Sequence, residues 1–222
     1  MEESSSAGLW LEIGQQLRHP TGLRGRVIGH LMALANRRPN MLAIDALRVV
    51  PSDVILELGF GSGWSIRRLA ARTPKGRVVG IDQSIEMLSQ ASRRNRSAIR
   101  AGRVALFQGQ FSELPFEDGS VDKILATNVA YFFGSAGAEL REAHRVLRPG
   151  GVMAIYVSSR STMSRWKFVG GETHRTFEVD DLMALINYGG FDINETTIVP
   201  VMLPFGVQGF LARLRKSADG RA

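Results

Sequence analysis

The sequence predicts an α/β fold built on a mainly parallel sheet, and three observations carry the prediction. From Asp53 onward, short apolar runs alternate with segments whose apolar residues repeat at helical spacing. The first such pair, 54–71, passes from Val54-Ile55-Leu56 to a helical pattern of Ile66, Leu69 and Ala70 through the turn Gly59-Phe60-Gly61-Ser62-Gly63. The last two strand-like runs are separated only by residues 200–206, too short for a crossover helix, so they should pair antiparallel.

Taken in order, the chain begins with about seven polar residues that read as disordered. Helical patches follow at Leu9, Ile13 and Leu17, at Val27, Leu31 and Leu34, and at Leu42, Ala46 and Leu47. His19-Pro20-Thr21-Gly22 and Arg38-Pro39-Asn40 are read as breaks between them. Residues 1–50 are thus expected to form a helical N-terminal extension capping the active site of a domain spanning 51–222. Within that domain the spacing predicts a strand over 54–58, a helix over 62–72, a strand over 77–82 and a helix from 84 to about 99. Strands over 104–108 and 121–128 come next, then a helix over 136–147 that Arg148-Pro149-Gly150-Gly151 stops. A strand over 152–158, an irregular segment, a helix over 179–188 and final strands over 192–199 and 207–214 complete a seven-stranded, Rossmann-like sheet with a C-terminal antiparallel hairpin. In such sheets ligands sit at the carboxyl ends of the strands.

Composition narrows the chemistry. The 222 residues include no cysteine, which removes disulfides, thiolate metal sites and cysteine nucleophiles together, and four scattered histidines leave no metal centre to expect. No apolar run approaches the roughly 18 to 20 residues that span a bilayer, and the acidic start MEESSSAG is unlike a secretory signal, so a cytoplasmic location is expected. The formal charge of +7 would suit an anionic partner. Its arginines are spread over several segments, Arg93, Arg94 and Arg96 in one and Arg141, Arg145 and Arg148 in another, as solvated helix faces commonly are.

The glycine turn is the centre of the functional argument. Glycines between a strand and a helix let the backbone approach a ligand while the new helix presents its free N–H groups. A nicotinamide or flavin fingerprint wants a third glycine three residues after the second, where this chain has Trp64. Glu57, ahead of the turn, would repel a pyrophosphate and suit a ligand bearing an ammonium or sulfonium. Asp82 ends the second strand, where a carboxylate can accept both hydroxyls of a ribose, and Ser84 can cap the helix that follows. After the third strand, the Gln110 amide can bond a purine edge and Phe111 can cover its face. Together these describe a pocket for an amino acid joined to an adenosine.

From Asp53 to Val157, and more weakly to Leu214, the chain resembles the class I S-adenosylmethionine-dependent methyltransferases, and specifically their small-molecule branch. The resemblance rests on ELGFGSG, VVGIDQS, FQGQFSELPF, VDKILATNVAYFF and LREAHRVLRPGG. It implies S-adenosyl-L-methionine as cofactor, S-adenosyl-L-homocysteine as product and no metal. It also implies a cofactor site of Glu57, Gly59 and Gly61 near the methionine end, Asp82 on the ribose, Gln110 and the Phe111 backbone at adenine, and Asn128 beside the substrate, with Gly63 and Gln83 among the cofactor-binding residues. Gln110 stands where the family more often has aspartate.

Methyl transfer from a sulfonium needs alignment and exclusion of water more than covalent help. An oxygen or carbon acid usually also needs a base, which an unprotonated amine does not. Tyr131, His174, His19 and His30 are the candidates, and spacing does not choose among them. The expected acceptor is a small molecule methylated at N, O or C. A phospholipid head group at the membrane surface is the variant reading, and a nonenzymatic nucleotide-binding protein of the same fold is the alternative from another class. Nucleic acid is not expected, because Asn128-Val129-Ala130-Tyr131 lacks the prolines of an N-P-P-Y motif. The oligomeric state is left open.

Overall fold

The apolar run Val54–Leu58 lacks polar alternation because, as strand β1, it is covered on both faces. The computed structural model describes residues 36–166 and 174–218. Its further strands are β2 (Arg77–Asp82), β3 (Val104–Gln108), β4 (Val121–Thr127), β5 (Leu147–Ser158), β6 (Thr196–Leu203) and β7 (Val207–Arg215). They form one seven-stranded sheet in the order β3-β2-β1-β4-β5-β7-β6. β1 to β5 run parallel, while β7 is antiparallel to both β5 and β6. The chain goes out from β1 to β2 and β3, then returns to place β4 and β5 on the other side. A crevice therefore opens at the carboxyl ends of β1 and β4, where the strand order reverses.

Helices cover both faces. On one lie α1 (Arg37–Ala46), α2 (Trp64–Arg72) and α3 (Ile85–Arg94), whose Ile44, Leu69 and Ala91 pack with Ile55, Val78 and Leu125. On the other lie α5 (Ala138–Val146) and α7 (Val179–Tyr188), whose Leu140, Leu185 and Ile186 meet Leu56, Ile124 and Ile155. Short helices α4 (Arg96–Arg100) and α6 (Arg160–Met163) complete the set. Each fully buried leucine or isoleucine contributes about 1.5–3 kcal/mol by leaving water.

Four expectations depart from the structure by more than a residue or two. Arg38-Pro39-Asn40 does not break a helix but lies in the first turn of α1, where proline's missing N–H would have had no partner. The helix expected over 84–99 divides at Asn95, whose side-chain amide donates to the carbonyls of Gly63 and Ala91, at 3.0 and 2.9 Å, instead of facing solvent. β5 starts at Leu147, immediately after α5. The strand expected over 192–199 is displaced to Thr196–Leu203 because Asp192 accepts from the Asn194 N–H and starts a single 3₁₀ turn. β6 then continues through Pro200, tolerable because β6 is the edge strand. The patches between Leu9 and Leu34 lie outside the described residues.

Candidate functional site

At the end of β1 the backbone takes positive φ at Gly59, Gly61 and Gly63, and the three glycines differ in purpose. A Cβ on Gly59 would lie 2.6 Å from Val129 Cγ2, and one on Gly63 would lie 2.6 Å from Ala91 Cβ. These two are glycine so that the turn can pack. A Cβ on Gly61 would meet nothing within 4 Å, so that residue borders open space. α2 starts beside it with Gly63 as its cap and no capping side chain, which leaves first-turn N–H groups for a ligand. Trp64 lies half-buried there, with the Arg68 guanidinium 5.0 Å from its ring.

Glu57 is 2% exposed at this turn. Its Oε1 accepts from Ser65 Oγ, and its Oε2 is buried with no hydrogen-bond partner. Burial pushes its pKa up to about 8; the Ser65 bond opposes the shift and the negative charge of Asp82 adds to it. Leaving a buried carboxylate oxygen unpaired is costly unless a donor or cation arrives.

Asp82, at the tip of β2, ties the turn to the next helix. Its Oδ2 accepts from the Gly61 N–H at 2.8 Å and its Oδ1 from the Ser84 N–H at 2.9 Å. Burial raises its pKa against the bonds donated by Ser84, Gly61 and Gln83. Ser84 caps α3, accepting from Met87 N. Gln83 Nε2 donates to Gln110 Oε1 at 2.9 Å, linking the ends of β2 and β3 along an exposed rim. Phe111 departs from one role read for it. Its ring is in the core, edge-on to Phe133 at 5.9 Å, and cannot cover a ligand at the rim; its backbone can still face one.

Across the crevice, Asn128 follows β4 with φ 54°, a left-handed conformation asparagine tolerates better than most residues. Tyr131 is buried beside it. Its hydroxyl accepts from the Ser158 N–H and donates to Asn128 Oδ1 at 2.8 Å, and Asn128 Nδ2 donates to Asn36 Oδ1 at 2.8 Å. Burial raises the Tyr131 pKa, with the Ser158 bonds opposing. His174 is also buried here, its ring centroid 5.2 Å from Phe132 and 6.3 Å from Tyr131. Tyr131, Asn128 and His174 thus share one wall, while His19 and His30 lie outside the described residues. Asn36 and Ser158 were not singled out from sequence. The Ser158 contact is a backbone N–H that no residue pattern reveals, and Asn36 lies 92 residues from its partner.

The site's donor set suits an adenosyl amino acid. An unpaired carboxylate oxygen on Glu57 fits a cation, a second carboxylate on Asp82 fits hydroxyls, and Gly61, which donates to Asp82, borders open space. Among the described residues, no group of three or more His, Asp or Glu could hold a metal, and no helix is long and apolar enough to cross a membrane.

Comparison with known proteins agrees with this chemistry. The methyltransferase domain family matches residues 55–151. The chain is 31% identical over 134 residues to the uncharacterized methyltransferase YdaC of Bacillus subtilis, covering 60% of this chain and 72% of that one. It is 28% identical over 159 residues to a malonyl-[acyl-carrier protein] O-methyltransferase of Legionella pneumophila, covering 72% of this chain and 55% of that one. The chain spans 34%, 72% and 55% of the length of three curated relatives that it matches. Among solved structures, the [4+2]-cyclase SpnF shares the fold with a TM-score of 0.69 at 17% identity, over 82% of this chain and 81% of that one.

Proposed function

Because this chain belongs to the class I S-adenosylmethionine-dependent methyltransferases, we propose that it methylates a small-molecule acceptor in the crevice between the ends of β1 and β4. The observation that carries the reading is the buried, unpartnered Oε2 of Glu57 in β1, ahead of a turn in which Gly61 borders open space. A cationic amino-acid ligand would remove the cost of that orphaned oxygen, whereas a pyrophosphate would increase it.

Bound there, S-adenosylmethionine supplies a methyl carbon activated by its sulfonium for in-line displacement. The chain's own residues hold and align. Glu57 faces the ammonium end, the main chain of Gly59 to Gly63 follows the ligand, and Asp82 accepts from the ribose while fixed by the N–H groups of Gly61 and Ser84. Gln83, Gln110 and the Phe111 backbone border the adenine. Asn128 borders the acceptor. Tyr131 orients Asn128 rather than taking a proton, because its hydroxyl hydrogen is already committed to Asn128 Oδ1 and burial favours the neutral phenol. His174, behind Phe132 and Tyr131, braces the same wall.

Calorimetry tests this reading. The protein should bind S-adenosylmethionine or its demethylated product and not NAD. Asp82→Ala removes a charged hydrogen-bond acceptor worth about 1.5–3 kcal/mol, and so should weaken binding by roughly 10- to 150-fold. Clear NAD binding, or none of the sulfonium compound, would overturn it.

A further inference from the structure

Asn36 breaks a local rule. It stands at the N-cap of α1, where an asparagine side chain ordinarily accepts from the first-turn N–H groups, yet it makes no capping bond. Its side chain turns instead to Asn128 across the crevice. Departures of this kind, in which a residue gives up its local role, are expected where function takes precedence.

The polarity of that contact follows from the chain of hydrogen bonds that leads to it. It starts at the Ser158 backbone N–H, which can only donate, and the Tyr131 hydroxyl accepts from it. Tyr131 gives its own proton to Asn128 Oδ1, so the Asn128 amide nitrogen faces the other way and donates to Asn36 Oδ1. Asn36 therefore turns its carbonyl oxygen inward and has its two Nδ2 N–H donors left over, with no acceptor for them among the described residues. Among the described residues the site thus presents donors and no acceptor, a pattern that selects oxygen over ammonium.

The charge nearby has the same sense. α1 and α2 run side by side in one direction, since Arg72 near the end of α2 pairs with Asp45 near the end of α1 at 2.8 Å. Arg37 at the start of α1 and Arg67 in the first turn of α2 consequently lie at the same end, next to Arg94, whose Nη1 donates to Ser62 Oγ at 2.8 Å. The charges of Arg37 and Arg67, together with burial, lower the Arg94 pKa. Among the described residues none of these three arginines has a carboxylate partner, although Arg72, Arg145, Arg148, Arg160 and Arg215 all do. The nearest buried acids, Glu57 and Asp82, are committed to the glycine turn.

From these observations we propose that Asn36 Nδ2, set in polarity by the Ser158–Tyr131–Asn128 chain, is a carboxylate-binding subsite that selects a methyl acceptor carrying a carboxylate over one carrying an ammonium. The assignment rests on the methyltransferase reading only for calling the ligand a methyl acceptor.

The probes are acetate and methylammonium. In ¹⁵N-labelled protein loaded with S-adenosylhomocysteine, the side-chain amides of Asn36 and Asn128 are assigned by their disappearance in Asn36→Asp and Asn128→Asp. Acetate should shift the Asn36 pair saturably and methylammonium should not. Asn36→Asp keeps an acceptor for Asn128 but replaces the donors with a carboxylate. It should weaken the acetate response, read at Asn128, by at least about tenfold, a loss of about 1.4 kcal/mol. No saturable acetate shift, an equal response to methylammonium, or unchanged acetate affinity in Asn36→Asp would overturn the subsite. Calorimetry with S-adenosylmethionine on the same variant separates the two readings. Retained binding within about twofold shows the variant folded with its donor site intact. Loss of donor binding in the unaltered protein would sink the methyltransferase reading and leave the amide response to stand or fall by itself.

Discussion

The two walls of the crevice are built in opposite ways. On the β1–β2 side, polar groups are held by near neighbours and main chain: Asp82 by the N–H groups of Gly61 and Ser84, Glu57 by Ser65 eight residues on. On the β4–β5 side, Asn36, the Asn128–Tyr131 loop and Ser158 come from three separate segments, and apart from the Ser158 N–H the links between them are made by side chains. Main-chain donors survive almost any substitution, whereas each link of a side-chain network can be changed by one residue. The first wall is suited to a ligand that does not vary, and the second to an acceptor that can.

The largest contrast lies within the turn itself. Gly59→Ala places a methyl 2.6 Å from Val129 at φ +70°, combining left-handed strain with a core clash. Together these should cost about 2–4 kcal/mol, or a fall in melting temperature on the order of 10 °C. Gly61→Ala meets nothing within 4 Å and bears the strain alone, about 1 kcal/mol and a few degrees. Its methyl nevertheless enters the space assigned to the donor, so it should weaken S-adenosylmethionine binding by on the order of 100-fold, a loss of about 2.7 kcal/mol. Thermal melts and calorimetry on the pair check this. A Gly61→Ala protein that binds the donor normally would show that the open space is not the cradle.

Glu57 sharpens the contrast through pH. The folded chain without ligand holds this proton up to about pH 8, while the unfolded chain releases it near 4.5. Its contribution to stability is therefore fully present below 4.5 and is lost as the pH rises to about 8. At roughly 1.4 kcal/mol per unit, the loss is on the order of a few kcal/mol. Melting temperatures of the ligand-free protein should fall across that window, and Glu57→Gln should flatten the fall. A bound cation favours the ionised carboxylate, so donor binding at pH 7 should release about one proton from the protein, measurable by calorimetry in buffers of differing ionisation enthalpy. An equal release from Glu57→Gln would assign the proton elsewhere.

How much of each wall was legible in the sequence follows from how each is built. β1, β2, β3 and α7 match their expected bounds residue for residue, because an apolar run between turn signals specifies a covered strand locally. The acids at the strand tips could be read for the same reason, since a strand end and the following cap fix where a side chain lies. Phe111 shows the limit: its position in the loop was readable, but not that its ring would turn inward against Phe133, because residues 22 apart in sequence meet only in the fold. The break at Arg38-Pro39-Asn40 failed for another reason, since proline ends a helix in its interior and starts one in its first turn, and a short window does not distinguish the two. The acceptor wall was the least readable. Tyr131 and Asn128 could be named, but their bonds to Ser158 and Asn36 depend on β4 pairing with β5 and on α1 crossing both.

Tyr131 gives the smallest expected effect and the finest test of the difference between the walls. Tyr131→Phe keeps the ring against Phe177 and His174 but removes the hydroxyl, which leaves the buried Ser158 N–H without its acceptor. That orphaned donor should cost about 1–3 kcal/mol of stability. If Tyr131 served packing alone, nothing further would change. As the link that sets amide polarity, its loss frees the Asn128 side chain to rotate, and a rotated Asn128 would present oxygen to Asn36 and turn the Asn36 donors inward. Donor affinity should then stay within about twofold of the unaltered protein, because no bond on the β1–β2 wall is touched. The acetate response at the Asn36 amide should weaken roughly three- to tenfold, on the order of 1 kcal/mol for a polarity no longer enforced. Equal weakening of both ligands would mean that the two walls are coupled through the sheet. An unchanged acetate response would mean that Asn128 holds its orientation without the tyrosine, and that Tyr131 braces the wall without setting its polarity.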